Sequence, residues 1–202
     1  MTTFRRLAAA LSVAAAAALA APTASQAEPR QFELDQEHFA IAFLVSHVEL
    51  ADTLGMFREA SGSFTYDRAA QTISDVEITV QTDSVFTDHE RRDNHLRGPD
   101  FLNVEEYPTM TFTADQAEVT GDDSGKIHGQ LTLLGETHPL TLDVTYRGGR
   151  EYPFGDNHYA IGISARGSFD RTDYGMTYAA PNLVGSEVEL IIEFEAIRQP
   201  KG

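Results

Sequence analysis

The sequence predicts an all-β protein, an antiparallel eight-stranded barrel with a short helical segment near residues 88–97. About eight long segments alternate apolar and polar residues with a period of two, which is typical of strands with one buried face. Hairpin-length turns join most of them, and the long helices that parallel crossovers require are missing. Eight strands of this length close economically as a barrel with room for side chains or one small ligand, and a two-sheet sandwich is the alternative.

Residues 1–27 have the composition of a secretory signal peptide. Arg5 and Arg6 precede a run rich in Ala, Leu and Val, and small residues follow around Ala27 at a cleavage point. The apolar run is shorter than the about 20 residues that a transmembrane helix needs. We therefore expect cleavage, a single mature domain of residues 28–202, and export to the periplasm, with secretion as an alternative.

The first half of the mature chain contains four predicted strands. A short strand covers residues 31–35, and a longer one at residues 38–48 is apolar on both faces. Residues 57–66 regain the alternation, with Gly62 at a predicted bulge or bend. The pattern is clearest at residues 73–85, where valine and isoleucine alternate with polar side chains.

A charged segment then interrupts the strands. Arg91, Arg92 and Arg97 lie within seven residues of one another in a chain of net charge −16. Thr87 or Asp88 is predicted to cap a helix of two turns over residues 89–96, which the Gly-Pro pair that follows Arg97 ends.

Two interpretations of this segment stand side by side. In the first it covers a mouth of the barrel, where His47, Arg91, Arg92 and His95 meet a polar or anionic headgroup, a partner that guanidinium groups suit. In the second the arginines pair with nearby carboxylates and tie the segment to the barrel, and the candidate partners are Asp88, Glu90, Asp93 and Asp100.

The second half of the chain returns to strands. Residues 109–114 form a short one, residues 126–134 and 137–147 form a hairpin, and residues 158–170 and 186–197 complete the barrel. Inward side chains of all these strands would line a pocket, and we expect them to include Phe43, Val45, Phe64, Val80, Met110, Phe112, Leu131, Leu142, Ile163 and Phe169.

Charge and composition exclude several classes of function. A net charge of −16 argues against nucleic-acid binding, which depends on Lys and Arg at phosphates, and limits contact with anionic membranes to transient encounters. The absence of cysteine removes thiol catalysis, iron–sulfur clusters and Cys-ligated zinc.

The sequence predicts neither an enzyme nor a metalloprotein. Seven histidines are scattered without the spacing of a metal site, so we expect no metal and no cofactor beyond a bound lipid. There is no G-x-S-x-G elbow, and Gly-rich turns do not precede helices.

Ordered short motifs over residues 32–197 resemble the YceI-like polyisoprenoid-binding family. The matching pieces, given in chain order, are Leu34-Asp35, the strand from His38 to His47, Gly55-x-Phe57, Arg92-Asp93-x-His95-Leu96, Asp100-Phe101, Tyr107-Pro108-x-x-x-Phe112, Gly129-x-Leu131-Thr132-x-x-Gly135-x-Thr137-x-Pro139, Arg171-x-Asp173-Tyr174-Gly175 and Val184-Gly185. Phe39 departs from the pattern, since the family commonly has a small residue there.

The resemblance implies an exported, lipocalin-like barrel that holds an isoprenoid-type or fatty-acid-like lipid tail, without established enzymatic activity. Some members of the family are described only as stress-induced secreted proteins. Two other functions remain open at this point: an interaction module for a membrane or redox partner, and a barrel enzyme using His47 on an apolar or quinone-like substrate. The outward Ile191 and Ile197 of the last strand leave a homodimer open.

Overall fold

The alternating segments form eleven strands and one α-helix in the computed structural model, which describes residues 28–200. The predicted signal peptide, residues 1–27, lies outside the described residues. The elements are β1 (Arg30–His47), β2 (Ala51–Phe57), β3 (Ala60–Asp67), β4 (Thr72–Gln81), β5 (Val85–Phe86), α1 (Glu90–Arg97), β6 (Thr109–Ala114), β7 (Ala117–Gly121), β8 (Ser124–Leu133), β9 (Glu136–Glu151), β10 (Tyr159–Asp170) and β11 (Glu187–Arg198).

Eight of these strands close into an antiparallel barrel. The order around it is β1-β3-β4-β6-β8-β9-β10-β11, and pairing of β11 with β1 joins the two ends. The predicted eight-stranded barrel is therefore confirmed, and the sandwich alternative is wrong because one sheet closes on itself. Within residues 28–200 no helix is both long and apolar enough to span a bilayer.

Strand β1 is continuous where the sequence predicted two strands. It carries a bulge, because the four residues from Asp35 to His38 lie opposite the single residue Glu195 of β11. The bulge bends the strand without ending it. The N-terminal part of β1 pairs with β3 and its C-terminal part with β2, so β2 and β3 form one wall strand that is interrupted at residues 58–59.

Two glycines let aromatic rings enter the barrel. A Cβ atom at Gly55 would lie 2.2 Å from the ring of Phe43, and one at Gly129 would lie 2.3 Å from the ring of Phe112. Both distances are shorter than any real carbon contact. The small residue on one strand and the large residue on its neighbour are therefore matched, and each ring packs over a glycine on the inner wall.

Helix α1 follows β5 and was predicted within one residue at each end. Its N-cap differs from the prediction: His89, not Thr87 or Asp88, caps the helix, and its Nδ1 accepts a hydrogen bond from the backbone N–H of Arg92. Thr87 instead donates its N–H and hydroxyl to the buried carboxylate of Asp93. His89 therefore caps the first turn of α1, and Thr87 ties the segment before the helix to Asp93.

Candidate functional site

An apolar cavity of about 470 Å³ runs through the barrel. Its wall consists of inward side chains from the barrel strands, together with β2, β5, α1 and the irregular segments at both ends. This volume lies within the range of roughly 300–1,000 Å³ that is typical of small-molecule sites. Because apolar side chains dominate the wall, the cavity suits a hydrocarbon better than a polar metabolite.

All ten residues predicted from inward strand positions lie on the cavity wall. They are Phe43, Val45, Phe64, Val80, Met110, Phe112, Leu131, Leu142, Ile163 and Phe169. They come from seven different strands, so the period-two pattern selected the inner face correctly on each. Whether these side chains contact a ligand stays a prediction.

One end of the cavity, here called the helix end, lies beneath α1. Its polar lining includes His47, Thr87, Arg92, His95 and Tyr178. Three of the four predicted mouth residues therefore line the cavity. Arg91 does not, and its neighbour Arg92 is the one on the cavity side of α1.

Arg92 is held at this position by Thr87. Its Nε donates to Thr87 Oγ1 at 2.6 Å, and its Nη2 donates to Thr87 O at 2.6 Å. The same hydroxyl donates to Asp93, so the guanidinium connects to a carboxylate only through Thr87. Nη1 of Arg92 has no hydrogen-bond partner among residues 28–200, which leaves donors free at the edge of the cavity.

The predicted pairing of the arginines with nearby carboxylates is wrong. Within residues 28–200, no ion pair joins Arg91, Arg92 or Arg97 to a carboxylate. Arg97 ties α1 to the barrel through backbone oxygens instead, with Nε 2.7 Å from Asp83 O and Nη2 2.9 Å from Val85 O. The positive charge of the helix is therefore not neutralised by a paired carboxylate.

His95 completes the helix end. Its Nε2 lies 2.9 Å from a carboxylate oxygen of Asp100, and its ring contacts the rings of Phe101 and Tyr178 edge-on, with centroids 5.0 and 5.1 Å away. Phe101 is buried and Tyr178 is half exposed. This aromatic group separates the apolar interior from solvent.

Arg171 is a site residue that the inward-strand pattern missed. Its side chain lines the cavity and is 2% exposed. The guanidinium donates to four backbone oxygens, those of Gly185, Met176, Tyr178 and Val184, at 2.6 to 3.0 Å. Burial lowers the pKa of Arg171, and Asp170 acts in the opposite direction. An arginine this basic nevertheless remains charged.

Arg171 organises the loop that covers the helix end. Its four acceptors belong to residues 176–185, and this loop pairs with β1 through the bridge between His47 and Val184. The sequence signal available for Arg171 was its place in the motif Arg171-x-Asp173-Tyr174-Gly175. Its burial could not be predicted, since it depends on backbone oxygens of an irregular segment.

The opposite end, here called the hairpin end, lies between the β3–β4 and β7–β8 turns. Its polar lining comprises Arg68, Gln71, Glu118, Asp122 and Asp123. Arg68 spans the two turns, with Nη2 2.6 Å from Asp123 Oδ1 and Nη1 2.9 Å from Asp122 O. Its guanidinium also lies 4.7 Å from the ring centroid of Tyr146. Here the cation is paired with a carboxylate.

Comparison with known proteins places this architecture. The model of the YceI-like domain matches residues 32–196. A UPF0312 protein of Pectobacterium carotovorum is 35% identical over 189 residues, covering 94% of this chain and 96% of that protein. The crystal structure of a Campylobacter jejuni YceI protein superposes with a TM-score of 0.70 at 29% identity, covering 77% of this chain and 90% of that one.

A polyisoprenoid binding domain from Saccharophagus degradans has the same fold. It superposes with a TM-score of 0.61 at 15% identity, over 83% of this chain and 98% of that domain. Because the identity is only 15%, this likeness shows a shared fold and nothing beyond it.

Proposed function

Because this chain belongs to the YceI-like domain family, we propose that it is a binding protein that holds a long isoprenoid or similar lipid tail inside its barrel. The observation that carries the proposal is the apolar cavity of about 470 Å³ through the barrel. The polyisoprenoid binding domain of the same architecture supports it. The role would be transport, storage or sequestration, without catalysis.

The cavity wall supplies enough affinity for a tail. Burying hydrocarbon contributes about 0.8 kcal/mol per CH₂, so a five-carbon isoprene unit brings roughly 4 kcal/mol before ordering costs. A few units inside the barrel would suffice for stable binding. Polar contacts at the ends of the cavity would then decide the orientation and the choice among lipids more than the affinity.

The two ends of the cavity favour one orientation of the ligand. Arg92 has free donors at the helix end, and Arg171 adds a buried positive charge that is bound only to backbone oxygens. A phosphate or other anionic headgroup would be stabilised there. The tail would point towards the hairpin end, where the charge of Arg68 is already paired.

Location and membrane contact belong to the same proposal. The composition of residues 1–27 supports export to the periplasm through a cleaved signal peptide. Leu50 and Leu183 are 86% and 59% exposed beside the helix end, where Val48 N–H donates to Leu183 O. Such apolar side chains would suit a brief contact with a bilayer during lipid transfer. Homodimerisation stays a prediction.

The test is to fill the cavity without changing the outer surface. Val144 of β9 lines the cavity, while its neighbour Thr145 is exposed on the outside. Val144→Trp places an indole in the path of the tail, and Thr145→Trp adds the same ring to the outer face as a control. Each protein is purified from the periplasm and extracted with organic solvent, and the extract is analysed by mass spectrometry.

We expect an isoprenoid-type or similar lipid from the wild-type protein and from Thr145→Trp, and at least about a tenfold loss from Val144→Trp, since a filled path removes several kcal/mol of hydrocarbon burial. No lipid from any of the three proteins, together with no binding of added isoprenoids, would contradict the proposal. Equal recovery from both tryptophan variants would place the ligand outside the barrel.

A further inference from the structure

A group of polar side chains on the outside of the barrel has no role in the cavity. It forms where β1 bulges, because the four residues from Asp35 to His38 lie opposite Glu195 alone. Next to it, β9 also bulges at Arg147, between the pairs of Gly148 with Gly162 and Tyr146 with Ile163. Bulges redirect side chains and are frequent beside functional sites.

The bulge gathers three metal-ligating side chains. One ligand atom each of Asp35, His38 and Glu195 lies within 4.8 Å of the other two. Carboxylate and imidazole together are ligands that Zn²⁺ accepts, and three protein ligands with an open position are a common arrangement. Two carboxylates also supply the negative charge that balances a divalent cation.

The ligand atoms are held in place before any ion binds. Asp35 is 8% exposed, and its Oδ1 accepts the backbone N–H of Glu37 at 2.9 Å while Oδ2 lies 2.8 Å from His38 Nδ1. Burial acts to raise the pKa of Asp35, but the hydrogen bonds from His38 and Glu37 lower it overall. The carboxylate is therefore ionised at neutral pH and oriented towards His38.

A second histidine lies beside the group. His158 Nδ1 forms a hydrogen bond with Asp156 Oδ1 at 2.7 Å. Its Nε2 is buried without a hydrogen-bond partner among the described residues. Its charge reaches Asp35, whose pKa it lowers. The ring of Tyr152 contacts both imidazoles, with its centroid 6.0 Å from that of His38 and 4.8 Å from that of His158. The neighbourhood thus contains a further nitrogen donor.

We propose that Asp35, His38 and Glu195 form a surface site for a divalent transition-metal ion, with Zn²⁺ as its best probe. The sequence analysis predicted no metal because the seven histidines lack the spacing of a metal site, and Glu195 is distant from His38 in the chain. The bulge brings them together. An imidazole ligand favours Zn²⁺ over Mg²⁺ and Ca²⁺, which prefer oxygen ligands alone.

Several charged and titratable groups surround the three proposed ligands. The hydrogen bond to Asp35 raises the pKa of His38. The other charged or titratable groups around the pair are Glu37 on β1, Arg147 on β9, Asp156 before β10, His158 at its start, and Glu193 and Glu195 on β11. Most of these groups are carboxylates, so the surroundings of the site favour a bound cation.

The experiment is isothermal titration calorimetry of the exported protein with Zn²⁺, Ca²⁺ and Mg²⁺. We expect one saturable Zn²⁺ site, and at least about tenfold weaker binding in His38→Ala and in Glu195→Gln. His128→Ala is the matched control, because His128 is also an exposed strand histidine beside a carboxylate, Glu118 at 3.5 Å. It should leave the affinity unchanged.

Three results would overturn the proposal: no saturable Zn²⁺ binding by the wild-type protein, an equal loss in His128→Ala, or tighter binding of Ca²⁺ than of Zn²⁺. His38 is an exposed side chain, so its replacement should leave the barrel intact, and circular dichroism checks that it does. Lipid content of the same variants should not change, which separates this site from the cavity.

Discussion

The arginines at the two ends of the cavity have different kinds of partner. At the helix end, Arg92 and Arg171 donate to hydroxyl and backbone oxygens, and neither forms an ion pair with a described carboxylate. At the hairpin end, Arg68 is paired with Asp123 and lies over Tyr146. Burial raises the pKa of Tyr146 to about 12, so that phenol stays neutral. A strongly acidic protein therefore has arginines without a direct ion pair at one end of its cavity.

This difference separates two roles that arginine has in the same barrel. Arg68 joins two exposed turns, and its pair with Asp123 can be replaced by water at little cost. Arg171 is buried. Its guanidinium needs the four backbone oxygens as hydrogen-bond acceptors, and these oxygens need it as a donor. The three substitutions below test whether the helix end depends on its arginines more than the hairpin end does.

The largest effect is expected from Arg171→Met. The substitution leaves four backbone oxygens of the covering loop without a donor, and buried unsatisfied groups cost about 1–3 kcal/mol each before the loop relaxes. We expect the free energy of unfolding to fall by about 3 kcal/mol, measured by urea denaturation.

Arg166→Met is the matched control for this substitution. Arg166 lies on β10 close to Arg171, donates to the backbone oxygens of Ala165 and Ile192, and pairs with Glu193 at 2.6 Å, but its side chain is 50% exposed. Its loss should cost less than about 1 kcal/mol. Similar losses from the two substitutions would show that burial of Arg171 does not matter to stability.

A smaller effect, on the choice of ligand, is expected from Arg92→Gln. If the headgroup lies at the helix end, losing this guanidinium should weaken binding of an isoprenoid diphosphate by about fivefold to tenfold, equal to about 1–1.4 kcal/mol. Binding of the uncharged alcohol of the same chain length should change little. Both affinities can be measured by displacement of a fluorescent lipid.

Arg91→Gln controls for the general charge of the helix. Arg91 neighbours Arg92 on α1 and both are exposed, but only Arg92 lines the cavity. Its substitution should leave the ratio of the two affinities unchanged. A ratio that falls equally in both variants would indicate long-range attraction in place of a headgroup contact.

The sequence predicted the inner wall of the barrel far better than its ends. Positions such as Phe43, Val80 and Phe169 follow a strict alternation of apolar and polar residues. Because one face of each strand is buried, only one register places all of its apolar side chains inside. The partners of Arg92 and Arg171 could not be predicted in the same way. They are backbone oxygens and a threonine hydroxyl, which no residue type marks in the sequence.

The smallest effect is expected from Arg68→Gln at the hairpin end. Arg68 and Asp123 are 47% and 57% exposed, so their ion pair should contribute less than about 1 kcal/mol to unfolding. Amide hydrogen exchange should become faster at residues 67–71 and 121–124, because the substitution removes the bonds between these turns. The ratio of diphosphate to alcohol affinity should stay at the wild-type value, since a tail end makes no contact that distinguishes the two headgroups. A selective loss of diphosphate binding in Arg68→Gln, with none in Arg92→Gln, would reverse the orientation of the ligand and give the arginines of the helix end a purely structural role.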